Sequence, residues 1–297
     1  MVYDCIIIGG GIAGLQAAIQ LGRYKHKVLV VDSNDGRSTI CQSYHNILGY
    51  PDGVSGQTLR TIGRSQAETL GVEFNEDTVV TAKKQDDTFT LKSAQGYDLI
   101  AKRILIATGV MDRIPSFAEI YPCLGKSIYV CPDCDGYEIN DKRTIIMGSG
   151  HAGANMALTL TYWSNDLIYV NHEKENIAPS KLEKLRQHHI QYEEFQIEDI
   201  LAQDSQFKGV RLENGQEINA EKGFLALGGN EVRSDIAKQL GVERLENRHI
   251  PVDSRSKMTN VPNVWAAGDV VAHSEQVTIA MGEGSQAGIW IHKSLIQ

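Results

Sequence analysis

The chain has 297 residues, 42% of them hydrophobic and 22% charged, with a formal net charge of -8. This balance describes an ordinary globular protein with enough length for two domains, and its negative charge argues against nucleic acid and anionic membrane as partners. No apolar run reaches the ~18 residues of a spanning helix, and the first strand is predicted to begin at residue 2 with no room for a signal peptide, so a cytoplasmic protein is expected.

Residues 3–8 form a short β-branched run that leads directly into Gly9-Gly10-Gly11-Ile12-Ala13-Gly14. Leu15, Ala18, Ile19 and Gly22 then recur at helical spacing, and 27–31 read as a second apolar strand ending on Asp32. Strand, glycine turn, helix, strand and terminal acid make a dinucleotide-binding unit. Its glycines let a pyrophosphate approach the helix N-terminus, and Asp32 stands where a ribose hydroxyl would be accepted.

Residues 35–56 read as loop, rich in Gly, Ser, Asn and Asp, with Pro51 and Asp52-Gly53 as turn signals. His45 lies in this loop; alone it reads as a plain polar residue, and beside a bound cofactor it would become a contact. A helix over 57–70 is followed by strands over 78–84, 88–93 and 97–101, then a buried strand over 104–107 closed by Thr108-Gly109.

Cys131-Pro132-Asp133-Cys134-Asp135-Gly136 comes next. Two cysteines two residues apart can close a reversible disulfide ring, and the carboxylate beside the second can move the protons that thiol exchange requires. Zinc would need four converging ligands; Cys123 or His151 could join the pair, but there is no second close Cys pair, so no metal is expected. A thioredoxin-type motif would follow the first strand of a small domain, whereas this one lies mid-chain. With 5 cysteines in a reducing compartment, structural disulfides are not expected, and Cys5, Cys41 and Cys123 read as packing residues.

The plan then repeats. The shift that lays Gly9 on Gly148 also lays Gly11 on Gly150, Gly14 on Gly153, Ala18 on Ala157 and Val31 on Val170, marking a duplicated nucleotide-binding domain. Meander strands follow over 192–218, then an apolar strand over 223–227 closed by Gly228-Gly229. Val264-Trp265-Ala266-Ala267-Gly268-Asp269 is a strand running into a Gly-Asp turn before a helix over Val277–Leu295. Asp269 reads as a helix cap with a second role in holding a cofactor.

The motifs GGGIAG at 9–14, ATG at 107–109, CPDCDG at 131–136, GSGHAG at 148–153 and AAGDV at 266–270 stand in one order along nearly the whole chain. In that order the chain resembles the low-molecular-weight thioredoxin reductases. The resemblance implies an α/β fold of two Rossmann-like three-layer nucleotide-binding domains, each with a small β-meander. Residues 1–113 and 244–297 would form a discontinuous FAD domain, and 114–243 an inserted pyridine-nucleotide-type domain carrying the redox pair. It implies that Gly9, Gly11, Gly14 and Asp32 hold the ADP half of FAD and Asp269 the ribityl-phosphate portion. Gly109, Gly268, Gln276 and His45 are further expected cofactor contacts, and Gly148, Gly150 and Gly153 would face a pyridine nucleotide. By the same resemblance Cys134 faces the flavin, Cys131 attacks an external disulfide, Asp135 is the general acid-base, and the protein is a homodimer.

The chain departs from that family in three places. Where NADPH-using members carry His-Arg-Arg to clamp the 2′-phosphate, it reads Asn171-His172-Glu173-Lys174-Glu175, so NADPH is disfavoured by on the order of 10²-fold and NADH is the nicotinamide donor left open. Glu275-Gln276 replaces Arg-Gln before the last helix, removing a positive charge. The loop over 35–56 and the CPxC form look like dithiol oxidases that close disulfides in gliotoxin and holomycin, which carry His where this chain has Asp135. Three functions therefore stand open. One is a disulfide reductase fed by NADH or a ferredoxin-like protein and acting on thioredoxin or another disulfide; the second is a dithiol oxidase passing electrons to oxygen; the third is a non-catalytic flavin-binding redox sensor.

Overall fold

A computed structural model describes all 297 residues. Their contacts divide the chain into two compact units: 1–39, 56–111 and 231–297 form the first, and 40–55 with 112–230 the second. Two stretches fall on a different side from the boundaries drawn on the sequence. Residues 231–243 lie with the first unit, where Val232, Ile236 and Leu240 join the apolar cluster of Ile6 and Ile8. Residues 40–55 lie with the second, tied to its turn at 123–128 by the Gln42 N–H, which donates to the Leu124 carbonyl at 2.9 Å.

In the first unit the strand Val2–Ile8 is buried from Cys5 to Ile8 without interruption, as a central parallel strand covered on both faces must be. Ile7 stands opposite Val30 of Val28–Asp32 and opposite Leu105 of Asp98–Ile106, both in parallel register. Glu73–Glu76 extends the sheet at one side, Val264–Ala266 pairs with Asp98–Ile106, and Thr88–Ser93 with Val79–Gln85 completes seven strands. Alternate residues serve opposite faces. Ile6, Ile8, Leu29, Val31, Ile104 and Ile106 pack in one cluster. Cys5, Ile7, Val28, Val30 and Leu105 pack in the other, beneath Ala17 and Leu21 of helix Ile12–Arg23 and Ala287 and Ile291 of helix Val277–Leu295. These two helices touch backbone to backbone: a Cβ on Gly284 would lie 2.2 Å from the Ala13 carbonyl oxygen, so only glycine permits the approach.

The expected strands over 97–101 and 104–107 are one, Asp98–Ile106. The charged pair Lys102-Arg103 does not break it because each head finds a partner: Lys102 Nζ lies 2.8 Å from Asp4 Oδ1, and Arg103 Nε donates to Ser294 Oγ at 2.8 Å. This strand pairs antiparallel with Thr88–Ser93 over 98–101 and parallel with Val2–Ile8 over 100–106.

In the second unit the strands run Gln191–Glu193, Leu167–Asn171, Thr144–Gly148, Lys222–Ala226 and Ile128–Tyr129, all in parallel pairs. A separate antiparallel meander is formed by Ile197–Gln203, Gln206–Leu212 and Glu217–Asn219. No helix in the chain is long and apolar enough to cross a membrane.

Candidate active site

The site residues are divided between the two units. The first unit places Gly9, Gly11, Gly14 and Asp32 around one turn. Gly9 has φ +104°, and a Cβ there would lie 2.4 Å from the Ala107 carbonyl oxygen; a Cβ on Gly14 would lie 1.9 Å from the Gly9 oxygen. Gly11 differs: a Cβ there would meet nothing within 4 Å, and Gly11 caps helix Ile12–Arg23 without any side-chain hydrogen bond to the first turn. The space beside Gly11, at the N-terminus of a long helix, is therefore open, which suits a pyrophosphate. Asp32 Oδ1 accepts the Gly10 N–H at 2.9 Å, and Oδ2 pairs with Arg60 Nη2 at 2.7 Å.

Sequence reading missed Arg60. Its guanidinium, 8% exposed, also donates to the Gly10 carbonyl at 2.9 Å and to Asn34 Oδ1 at 3.0 Å, binding the turn after each of the first two strands into one piece. No local signal marks it, since it stands on helix Gly56–Thr69 as one polar residue among many. Beside it a cleft of about 310 Å³ is lined by Gly10, Asp32, Asn34, Arg60, Asn75 and Glu76, at the carboxyl ends of the strands.

The Gly-Asp turn lies in the same unit. Gly268 has φ +80°, and its N–H donates to Glu283 Oε2 at 2.9 Å. Glu283 is buried and is further held by Lys257 at 2.9 Å and His273 at 2.7 Å, whose charges offset burial and keep the carboxyl below its usual range. Burial pushes the Asp269 carboxyl up, while Arg37 opposes the shift. Gln276 caps helix Val277–Leu295 without a side-chain hydrogen bond to it. Gly109 has φ +66°, and its carbonyl accepts the Arg233 N–H at 3.1 Å. The positive charge that residue 275 lacks is supplied by Arg37, which reaches both Asp269 and Glu275.

The second glycine loop, in the second unit, is built differently. A Cβ on Gly150 would lie 2.9 Å from Glu175 Cβ and 3.4 Å from the Asn176 oxygen, so the chain's own turn after Leu167–Asn171 lies where Gly11 has open space. Asn171 Oδ1 accepts the Gly150 N–H at 2.9 Å, and its Nδ2 donates to the Glu175 carbonyl at 2.8 Å and Tyr192 Oη at 3.0 Å. Beneath the loop Tyr169 donates to the Gly150 oxygen at 2.8 Å, and its ring sits 2.3 Å from where a Gly153 Cβ would be. A Cβ on Gly148 would lie 2.6 Å from the Gly153 Cα, so this strand end also depends on glycine. Desolvation, the largest single influence, raises the Glu173 carboxyl, but its hydrogen bonds to Ser149, the residue capping helix Gly150–Leu160, and to Arg113 together bring it below the usual range. His172 Nδ1 accepts the Ile197 N–H at 2.8 Å.

The redox pair is also in the second unit. Cys131 caps the short helix Pro132–Asp135, and its carbonyl accepts the Asp135 N–H at 3.0 Å, which folds Cys134 back until the two Sγ atoms are 2.7 Å apart. No disulfide joins the two cysteines. The hydrogen bond between the two Sγ atoms, the largest influence, holds Cys131 below the usual thiol range against the opposing effect of burial and so favours its thiolate. Burial pushes the Asp135 carboxyl up to about 7, with Glu138 adding to the rise and Lys222 opposing it. Lys222 is held by Tyr129 Oη at 2.6 Å and the Lys126 carbonyl at 2.9 Å. The turn after the pair rests on Trp163, whose ring lies 2.7 Å from where a Gly136 Cβ would be.

His45 is in this unit too, with Nε2 2.9 Å from the Gly125 carbonyl; since a carbonyl only accepts, Nε2 carries the proton. A reactive thiolate and an acid poised near neutrality can exchange disulfides, and the open glycine loop of the first unit can hold a dinucleotide.

Comparison with known proteins gives the same reading. A family described as pyridine nucleotide-disulphide oxidoreductase matches residues 3–284. A thioredoxin reductase of Aquifex aeolicus is 29% identical over 308 residues, covering 99% of this chain and 94% of that protein. The crystal structure of HlmI superposes with a TM-score of 0.86 at 28% identity, covering 99% of this chain and 92% of that one. An oxidoreductase from Agrobacterium tumefaciens superposes with a TM-score of 0.80 at 28% identity, over 100% of this chain and 99% of that one.

Proposed function

We propose a route and an electron donor for this chain, which belongs to the pyridine nucleotide-disulphide oxidoreductase family and is a thioredoxin reductase-like flavoprotein disulfide oxidoreductase. Electrons pass between FAD and an external disulfide, that of thioredoxin or another disulfide substrate, through Cys134 and Cys131, and the donor is not NADPH. NADH at modest efficiency, or a reduced ferredoxin-like protein, is the source. The discontinuous first unit is the flavin domain and the working form is a homodimer.

The contact between Cys131 and Cys134 beside an acid raised to about 7 supports the disulfide chemistry most directly. Cys131 thiolate attacks one sulfur of the substrate disulfide, forming a mixed disulfide, and the departing thiolate takes its proton from Asp135. Cys134 then attacks Cys131 Sγ, releasing the second thiol and closing the Cys131–Cys134 disulfide. FAD, when bound and reduced by the donor, would supply the two electrons that reopen that ring. In the first unit Gly9 to Gly14 and Asp32 would hold its ADP half and Asp269 its ribityl-phosphate portion.

Gly11 tests that assignment without disturbing the fold. A side chain at Gly11 meets no protein atom within 4 Å, so Gly11→Val is expected to fold with an unchanged thermal midpoint as apoprotein. Its methyl groups would stand in the pyrophosphate's path, and FAD affinity should fall at least about tenfold. Full flavin content in the variant would remove the loop from the cofactor site.

The donor reading rests on the contrast between Gly11, open, and Gly150, covered by Glu175. The second helix N-terminus already has the Glu173 carboxylate on its capping serine, a negative charge where a nucleotide would bring more. Anaerobic stopped-flow absorbance at the flavin band, with NADPH, NADH and a dithiol compared side by side, decides it. NADPH should reduce the flavin slowly and without saturation at micromolar concentration, with replacement of His172 and Glu173 by Arg improving its use. Rapid reduction of the unmodified protein by low-micromolar NADPH would make it an ordinary NADPH-dependent thioredoxin reductase.

The reverse direction, dithiol oxidation with oxygen as acceptor, is supported by the likeness of the loop over 35–56 and of the CPxC form to the dithiol oxidases. The dithiol arm of the same experiment, followed by admission of oxygen, separates the two. Flavin reduction by a dithiol faster than by any other donor, with full turnover in air, would assign oxidase activity.

A further inference from the structure

In the first unit, segments far apart in sequence meet around one guanidinium. Arg37 opens the short helix Arg37–Ile40, just after the strand Val28–Asp32. Its Nη1 donates to Asp269 Oδ2 at 2.9 Å and to Glu275 Oε2 at 2.6 Å. The three side chains are only 21%, 19% and 28% exposed, so their charges are largely withdrawn from water and must satisfy one another. On the far side of Glu275, Oε1 lies 3.4 Å from His249 Nε2, which fixes the glutamate that fixes the arginine. Asp269 follows Gly268, whose backbone is pinned by buried Glu283. The turn is thus fixed from one side by its backbone and from the other by Arg37. Without a cation, Asp269 and Glu275 would be two carboxylates competing for one poorly solvated place, and one of them would take up a proton.

We infer that Arg37, braced by Glu275, is a positioning residue for Asp269, keeping that carboxylate charged and aimed to accept a hydroxyl of the flavin's polyol chain. The inference rests on the FAD reading above. It assigns to a residue of the early loop the job of charging a turn that lies more than two hundred residues further along the sequence.

The test measures FAD affinity of apoprotein by fluorescence quenching, together with the thermal midpoint of the same apoprotein. Arg37→Met should weaken FAD binding by about 10- to 100-fold, the range for losing a charge-assisted hydrogen bond. In an Asp269→Asn background the same replacement should change affinity by less than about threefold, because Arg37 acts through Asp269. Moving the charge across the pair should restore function: Arg37→Met with Glu275→Arg recovers most of the affinity, whereas Arg37→Met with Glu275→Gln does not. A residue that merely braces the fold would lower the apoprotein midpoint and would not be rescued by charge at position 275. FAD affinity of Arg37→Met within twofold of the unmodified protein overturns the inference, as does equal rescue by Gln and Arg. Unmodified protein that takes up no FAD would overturn the cofactor reading and this inference with it, whereas FAD binding indifferent to Arg37 overturns the inference alone.

Discussion

Asp135→Asn is expected to slow thiol-disulfide turnover by about 10²- to 10⁴-fold near neutral pH, the range for loss of a general acid-base, while FAD content stays the same. The cause is environment. Burial and Glu138 lift the carboxyl to about 7, so at neutral pH the protonated form that donates and the ionised form that accepts coexist. The unmodified protein should show an inflection near pH 7 in the rate of disulfide exchange, and Asp135→Asn should lack it. The same shift has a stability consequence whose sign follows from proton uptake. The folded carboxyl holds its proton up to about pH 7, whereas the unfolded chain releases it near pH ~4, so this group makes the protein progressively less stable as pH rises between those values. Asparagine removes the penalty, and the variant should be the more stable protein above pH 7 by on the order of a few kcal/mol or less. A near-normal rate with an unchanged pH profile would reduce Asp135 to a turn residue.

The second large effect divides labour between the cysteines. Either Cys131→Ser or Cys134→Ser should abolish turnover with a disulfide substrate, since one thiol cannot close the ring. The two should differ in colour. With Cys134 on the flavin side, Cys131→Ser leaves a thiolate against the oxidised ring and gives a long-wavelength charge-transfer band that Cys134→Ser lacks. The reverse pattern would exchange the roles. The lowering of the Cys131 thiol below its usual range suits it to attack a substrate disulfide as a thiolate.

Much of this site can be read from the sequence because its parts are local. A glycine turn between two apolar strands, a pair of cysteines two residues apart and a Gly-Asp turn each need only neighbouring residues, and the structure forms each of them where the spacing predicts. What escapes reading is what arrives from a distance. Arg60 reaches Asp32 from a helix whose polar residues look alike, and Arg37 reaches Asp269 from a loop with no periodicity. The glycine pattern at 148–153 is as regular as the one at 9–14, yet Tyr169 and Glu175 close around it. Periodicity records which residues lie beneath a loop but not which bend over it. The fused strand Asp98–Ile106 was hidden for a related reason, since Lys102 and Arg103 look like a break until Asp4 and Ser294 are placed beside them.

The two departures of the chain from its first unit begin and end at points in contact. A Cβ on Gly56 would lie 2.1 Å from the Ser38 carbonyl oxygen, and Met111 is the antiparallel partner of Glu231. For the first unit each excursion is therefore a closed loop, anchored at its neck. The entropy of closing a flexible loop grows only with the logarithm of its length, about 0.6 kcal/mol for each doubling. What is threaded between Met111 and Glu231 can thus grow or shrink at little thermodynamic cost to the first unit, provided the necks survive. Evolution could exchange the inserted unit, or let its second glycine loop close, without destabilising the first.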